Sequence, residues 1–139
     1  MVRRVHIVAS ARDWIGTRYR HQGRTRHGID CAGLIIRIGH EHGLITYDTD
    51  GYQRRSTGED IINHFEAGGM DRIPNPLAAE PGDVILTRDD IFPCHAAMVV
   101  DGGKIVHAYA KRRAVVIEDH TEEWRRKTVA AFRFRGLED

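Results

Sequence analysis

Residues 94–109 read Cys94-His95-Ala96-Ala97-Met98-Val99-Val100-Asp101-Gly102-Gly103-Lys104-Ile105-Val106-His107-Ala108-Tyr109. Two apolar, β-branched runs flank a glycine turn, which predicts an antiparallel hairpin with strands at 95–100 and 104–109. Each arm carries one histidine. Opposed residues share a sheet face and alternate residues swap faces, so the turn length decides whether the two imidazoles can meet. A two-residue turn would put His95 and His107 on opposite faces. A three-residue turn, Asp101-Gly102-Gly103, pairs Val100 with Lys104 and sets His107 opposite Ala97. His107 is then diagonal to His95 on one face, and the three-residue turn, with glycine in the left-handed position, is the register expected. If His95 faces the site, Cys94 faces away and reads as buried or incidental.

Outward from the hairpin, 84–87, 114–118 and 128–134 also read as strands. The first half has a different period. Val5, Ile7, Val8, Ala11, Trp14 and Ile15 recur at helical spacing within 2–15. Leu34, Ile35, Ile36 and Ile38 put apolar side chains around a second helix that starts at Cys31, which marks it as buried. Residues 44–58 read as a loop and 59–67 as a short helix. Helices followed by hairpin-linked strands predict an α+β fold, with an antiparallel sheet packed on N-terminal helices. No repeat, low-complexity segment or linker divides the chain, so one domain over residues 1–139 is expected.

Composition bounds the function classes. The 139 residues are 41% hydrophobic and 29% charged, a balanced globular composition. A formal net charge of +1 speaks against bulk binding of nucleic acid. Arg18, Arg20, Arg24 and Arg26 concentrate charge locally and read as a solvated arginine face. No apolar run is long enough to span a bilayer, so no membrane partner is expected. Arg3-Arg4 resembles the start of a signal peptide, but the apolar stretch behind it is short, contains His6 and stops at Arg12-Asp13. Synthesis in the cytoplasm without a Sec signal is the expectation. Two cysteines, Cys31 and Cys94, make no disulfide framework.

The sharpest chemical feature is Asp30-Cys31-Ala32-Gly33. Asp30 is a good N-cap, and Cys31 occupies the first helical position. Free backbone N–H groups and the positive end of the helix dipole favour thiolate over thiol there. A nearby N–H can also stabilise a developing oxyanion. Ala32 and Gly33 add little bulk, so another element can approach closely. An isolated cysteine at a helix start is more often core than catalyst. A nucleophile needs a base and the base needs an orienting group, and the two-histidine hairpin supplies both.

Taken in order, Gly16-Thr17-Arg18-Tyr19, Asp30-Cys31-Ala32-Gly33-Leu34, Pro81-Gly82-Asp83-Val84-Ile85, His95 and His107-Ala108 resemble NlpC/P60 cysteine peptidases over nearly the whole chain. The segment from Tyr19 to Cys31 and the ending Ala130-Ala131-Phe132-Arg133-Phe134 resemble the phage-tail and gene-transfer-agent branch. The resemblance implies a papain-like fold and cleavage of peptidoglycan stem peptides, typically between γ-D-glutamate and diaminopimelate. It implies Cys31 as nucleophile, His95 as base, His107 as orienting residue, and Tyr19, Asp30 and Arg18 on the substrate side. It also implies tail or baseplate partners and delivery with a virion-like particle. Ala32 stands where the family usually has serine, Ala96-Ala97 where it has Val-Gly, and Arg18 where it has proline.

No cofactor is expected. His40-Glu41-His42 spaces its histidines so that they do not share a helix face, and no cysteine pair has zinc-finger spacing, so no metal site is expected either. His6, His21, His27, His64 and His120 read as exposed polar residues. The rival from another class is a structural tail component whose triad is silent or inhibited in the assembly.

Overall fold

In the computed structural model, which describes residues 2–45, 58–88 and 95–138, the first half of the chain is helical and the second half is strand. β1 (Val2–Arg3) leads into α1 (Arg4–Asp13), and β2 (Arg24–Thr25) and β3 (Gly28–Ile29) make a small hairpin before α2 (Cys31–Glu41). α3 (Gly58–Gly68) precedes β4 (Met70–Arg72). Then come β5 (Val84–Thr87), β6 (His95–Val100), β7 (Lys104–Tyr109), β8 (Ala114–Asp119), α4 (Glu122–Lys127), β9 (Thr128–Phe134) and β10 (Leu137–Glu138). The expected loop over 44–58 falls mostly outside the described residues, as does Cys94.

β4, β9, β5, β6, β7 and β8 form, in that order, one six-stranded sheet whose neighbours are all antiparallel. The α+β expectation is met. Alternation gives the sheet two buried faces. Val84, Leu86, Ala96, Met98, Val100, Val106, Ala108 and Phe132 pack with Ile7, Ala11, Leu34, Ile35, Ile38 and Phe65 from the helices. Ile85, Ala97, Val99, Ile105 and Ala131 point the other way, under Trp124, Ile73 and Ala79. Each fully buried leucine or isoleucine contributes about 1.5–3 kcal/mol. The helical layer carries most of them.

Two sequence expectations need correction. Residues 2 and 3 are strand, because they pair in parallel with Leu137 and Glu138, so the first helix begins at Arg4. Val5 and Ile15 lie outside the buried stripe, at 64% and 39% exposure. The stripe narrows to Ile7, Val8 and Ala11, with Trp14 just beyond the helix. α4 was not anticipated, although its chemistry is in the sequence. Thr121 caps it through the Trp124 N–H, Glu122 and Glu123 sit in its first turn, and Arg125, Arg126 and Lys127 in its last, which complements the macrodipole at both ends. Among the described residues no helix is long and apolar enough to cross a membrane.

One buried charge ties the layers together. The fully buried Asp83 carboxylate accepts hydrogen bonds from Arg4 Nη1 at 3.0 Å, Arg133 Nε at 3.0 Å, Arg133 Nη2 at 2.8 Å and the Glu80 N–H at 2.9 Å. It thereby joins the start of α1 to β5 and β9. Removing one partner of such a group strands the others. Asp83→Ala is expected to lower unfolding free energy by about 3 kcal/mol, read as a lower denaturant midpoint. A midpoint unchanged from the parent would refute the assignment.

Candidate active site

The start of α2 is built around Asp30. Its backbone is extended (φ −106°, ψ −177°), and its side chain accepts from the Gly33 N–H at 2.8 Å, as an N-cap should. The same carboxylate accepts from the Gln22 N–H at 2.7 Å, while Arg24 Nη1 lies 3.2 Å from Oδ1 and 3.0 Å from the Gly23 carbonyl. The 20–25 segment is therefore held directly against the helix start. A Cβ on Gly33 would lie 2.5 Å from the Gly23 oxygen and 2.7 Å from Arg24 Nη1, so only glycine admits this approach. Cys31 follows at the first helical position, 8% exposed, and joins the helix-side core.

A chain of backbone pairings carries this helix start to one end of the sheet. Tyr19 bridges Ile29, Arg18 bridges Ala114, and the Tyr19 N–H donates to the Arg113 carbonyl at 2.9 Å. Ala114 opposes Tyr109. Val100 opposes Lys104 and Met98 opposes Val106. Continued, that register sets His95 across from Tyr109. The element starts holding Cys31 and His95 are thus brought to the same end of the sheet.

The hairpin has the three-residue turn. Gly102 and Gly103 both take positive φ, +78° and +70°, which glycine adopts without steric cost. His107 falls opposite Ala97 and shares a face with His95. That is the face of Ala97 and Ile105, not the helix-facing one. Both imidazoles are fully buried, and His95 Nε2 lies 2.6 Å from His107 Nδ1. His107 Nε2 lies 2.7 Å from Glu118 Oε2, and Glu118 Oε1 accepts from Trp124 Nε1 at 3.1 Å. Tyr109 stacks on His107 at 4.7 Å between centroids, and Trp124 meets His107 edge-on at 5.3 Å. Among the described residues, the buried His95 Nδ1 has no hydrogen-bond partner. Burial, and secondarily His107, hold the His95 imidazole well below its ordinary 6.5, so it is neutral near pH 7 and able to accept a proton.

The structure thus brings His95 and His107 together and carries the Cys31 helix start to the same end of the sheet. Tyr19 is half-buried against the core, and Arg18 is exposed. Asp30, expected on the substrate side, is corrected: its carboxylate is 2% exposed and turned onto the protein's own donors. The solvated arginine face holds for Arg18, Arg20 and Arg26, which are exposed, and is corrected only at Arg24. Arg24 is largely buried on Asp30, and Arg26 stacks 3.6 Å over Trp14 and pairs with Asp13 at 2.9 Å. His21, His64 and His120 are half-buried rather than exposed. Glu118 was not anticipated as part of the site. Its signal was the next hairpin: Tyr109 opposite Ala114 puts Ile105 opposite Glu118, diagonal to His107 on the same face. Among the described residues no three His, Cys, Asp or Glu side chains are grouped to hold a metal ion.

The family model of the NlpC/P60 family matches residues 16–133. Over 121 residues the chain is 23% identical to Murein DD-endopeptidase MepS/Murein LD-carboxypeptidase of Escherichia coli K12, covering 87% of this chain and 57% of that protein. It is 30% identical over 119 residues to the tail tip assembly protein K of Escherichia phage lambda, covering 81% and 58%. The chain therefore spans under three-fifths of the length of these curated relatives. An NlpC/P60 family protein from Bacillus cereus ATCC 10987 has the same fold, with a TM-score of 0.69 at 22% identity over 94% of this chain and 40% of that one.

A histidine kept neutral by burial has a defined pH signature. The unfolded chain binds a proton at His95 below about 6.5 while the folded protein does not, so this stability is present above that pH and lost as pH falls through it. Wild type is expected to lose stability faster than His95→Gln between pH 6.5 and 5, by up to about 1.4 kcal/mol per pH unit. Parallel pH curves for the two proteins would contradict a buried neutral His95.

Proposed function

The chain belongs to the NlpC/P60 family, and from that premise we propose that it is a cysteine endopeptidase acting on peptidoglycan stem peptides. Cys31 is the nucleophile, His95 the general base and His107 the residue that orients His95. The observation that carries this reading is the 2.6 Å contact of His95 Nε2 with His107 Nδ1, which occupies one ring nitrogen and leaves Nδ1 as the proton acceptor.

Chemically, the Cys31 sulfur adds to the peptide carbonyl as its proton passes to His95 Nδ1, and His95 then protonates the departing amine. The resulting thioester is hydrolysed by water deprotonated at the same nitrogen. Gly33 and Leu34 give their N–H groups to Asp30, so the oxyanion donor is assigned to the N–H of Cys31 or Ala32 at the positive end of α2. Asp30 acts by positioning: it fixes the helix start and the 20–25 segment. Tyr19 and Arg18 lie on the substrate side, where the exposed Arg18 guanidinium can meet a stem-peptide carboxylate. No cofactor is needed for these steps.

Family resemblance favours the γ-D-glutamyl–diaminopimelate bond, whereas MepS is named for DD-endopeptidase and LD-carboxypeptidase activities. The 30% identity to the lambda tail tip protein supports carriage on a phage-like tail, with baseplate or tail proteins as partners. It equally motivates the second reading, a tail component whose site is silent in the assembly. Purified sacculi digested with wild type and with Cys31→Ala, and read by mass spectrometry, separate these readings. Wild type is expected to release fragments cut between D-glutamate and diaminopimelate, with the variant at least about 100-fold slower. Fragments cut elsewhere in the stem peptide would reassign the bond. Equal inactivity of both proteins, with normal assembly into particles, would favour the structural reading.

A further inference from the structure

We propose that Glu118 is a positioning residue that sets the tautomers of both histidines, and that Trp124 holds it in place for that task; the role in turnover rests on the peptidase reading above. The inference follows from donor and acceptor arithmetic along one row of atoms. An ionised carboxylate can only accept. Glu118 Oε2, 2.7 Å from His107 Nε2, therefore requires the proton of His107 on Nε2. At a pH where His107 is uncharged, its Nδ1 has a lone pair, which at 2.6 Å accepts from His95 Nε2–H. His95 in turn has its lone pair on Nδ1, the buried nitrogen that has no hydrogen-bond partner among the described residues.

Each link has a physical constraint. Trp124 Nε1 donates to Glu118 Oε1 at 3.1 Å, and an indole N–H can only donate, so one carboxylate oxygen is held by Trp124 while the other faces His107. Trp124 is itself capped into place by Thr121. The Glu118 side chain is 30% exposed while His107 is fully buried, so the charge stays solvated at one end and reaches the dry imidazoles at the other. When His95 takes the thiol proton on Nδ1, it becomes an imidazolium whose Nε2–H points along a row ending in that carboxylate. No proton need move beyond His95. Sequence reading stops at His107 because the third link comes from a separate hairpin.

The test is ¹⁵N NMR of the histidine rings in the free protein at mildly alkaline pH, paired with steady-state turnover of stem peptide, for wild type, Glu118→Gln and Trp124→Phe. A side-chain amide in place of the Glu118 carboxylate can donate as well as accept, so the opposite tautomers become accessible. Wild type is expected to show both rings protonated at Nε2 only. Glu118→Gln is expected to populate Nδ1–H forms, with kcat down about 10- to 100-fold and KM within twofold, and Trp124→Phe to show the same change more weakly. Wild-type rings carrying Nδ1–H, tautomers unmoved by Glu118→Gln, or shifted tautomers with unchanged kcat would each overturn the proposal. If Glu118→Gln does not fold, Trp124→Phe decides on the same readouts. A wild type with no Cys31-dependent turnover would sink the peptidase reading, and the ring tautomers would still decide whether Glu118 sets them.

Discussion

The register of β6 against β7 is the constraint on which the site depends. Strand periodicity is two, so one residue more or fewer in the Asp101–Gly103 turn would move His107 to the helix-facing side, into the core among Ile7 and Leu34. There its ring nitrogens would be buried among apolar groups and His95 would lose its neighbour. Two glycines in the left-handed region hold the turn at three residues. The same alternation, carried into β8, brings Glu118 to the row. Three side chains from three strands thus align because of turn lengths, before any side-chain chemistry acts.

Asp30 is the counterpart on the helical side. One carboxylate caps α2, anchors the Gln22 backbone and takes the Arg24 ion pair. A buried carboxylate is costly without partners, and three donors satisfy it. The loop preceding Cys31 and the helix beginning there are thus tied to each other through one carboxylate. Rigid support of this kind is what a reacting group needs when small displacements cost large factors in rate.

Much of this was legible in the sequence, for identifiable reasons. Strands at 84–87, 95–100, 104–109 and 128–134 carry dense β-branched or aromatic residues bounded by turns, and their limits match the structure. The Asp30 cap and buried α2 follow from local chemistry. What stayed hidden depended on contacts distant in sequence. Val2–Arg3 became strand only because the other end of the chain lies beside it. Arg24 looked like solvated charge because Asp30, which buries it, is brought to it by the fold. Glu118 looked like the polar end of a strand until a second hairpin register was applied to it.

The central claim, that the Cys31 sulfur carries the acyl group, is tested most directly by acid-quenching the enzyme during turnover of a stem peptide and mapping the intact adduct. The account predicts a thioester on Cys31, distinguished from Cys94 by peptide mapping and absent from Cys31→Ala. Peptide cleavage that proceeds at the same rate in Cys31→Ala, or an adduct found only elsewhere, would contradict it.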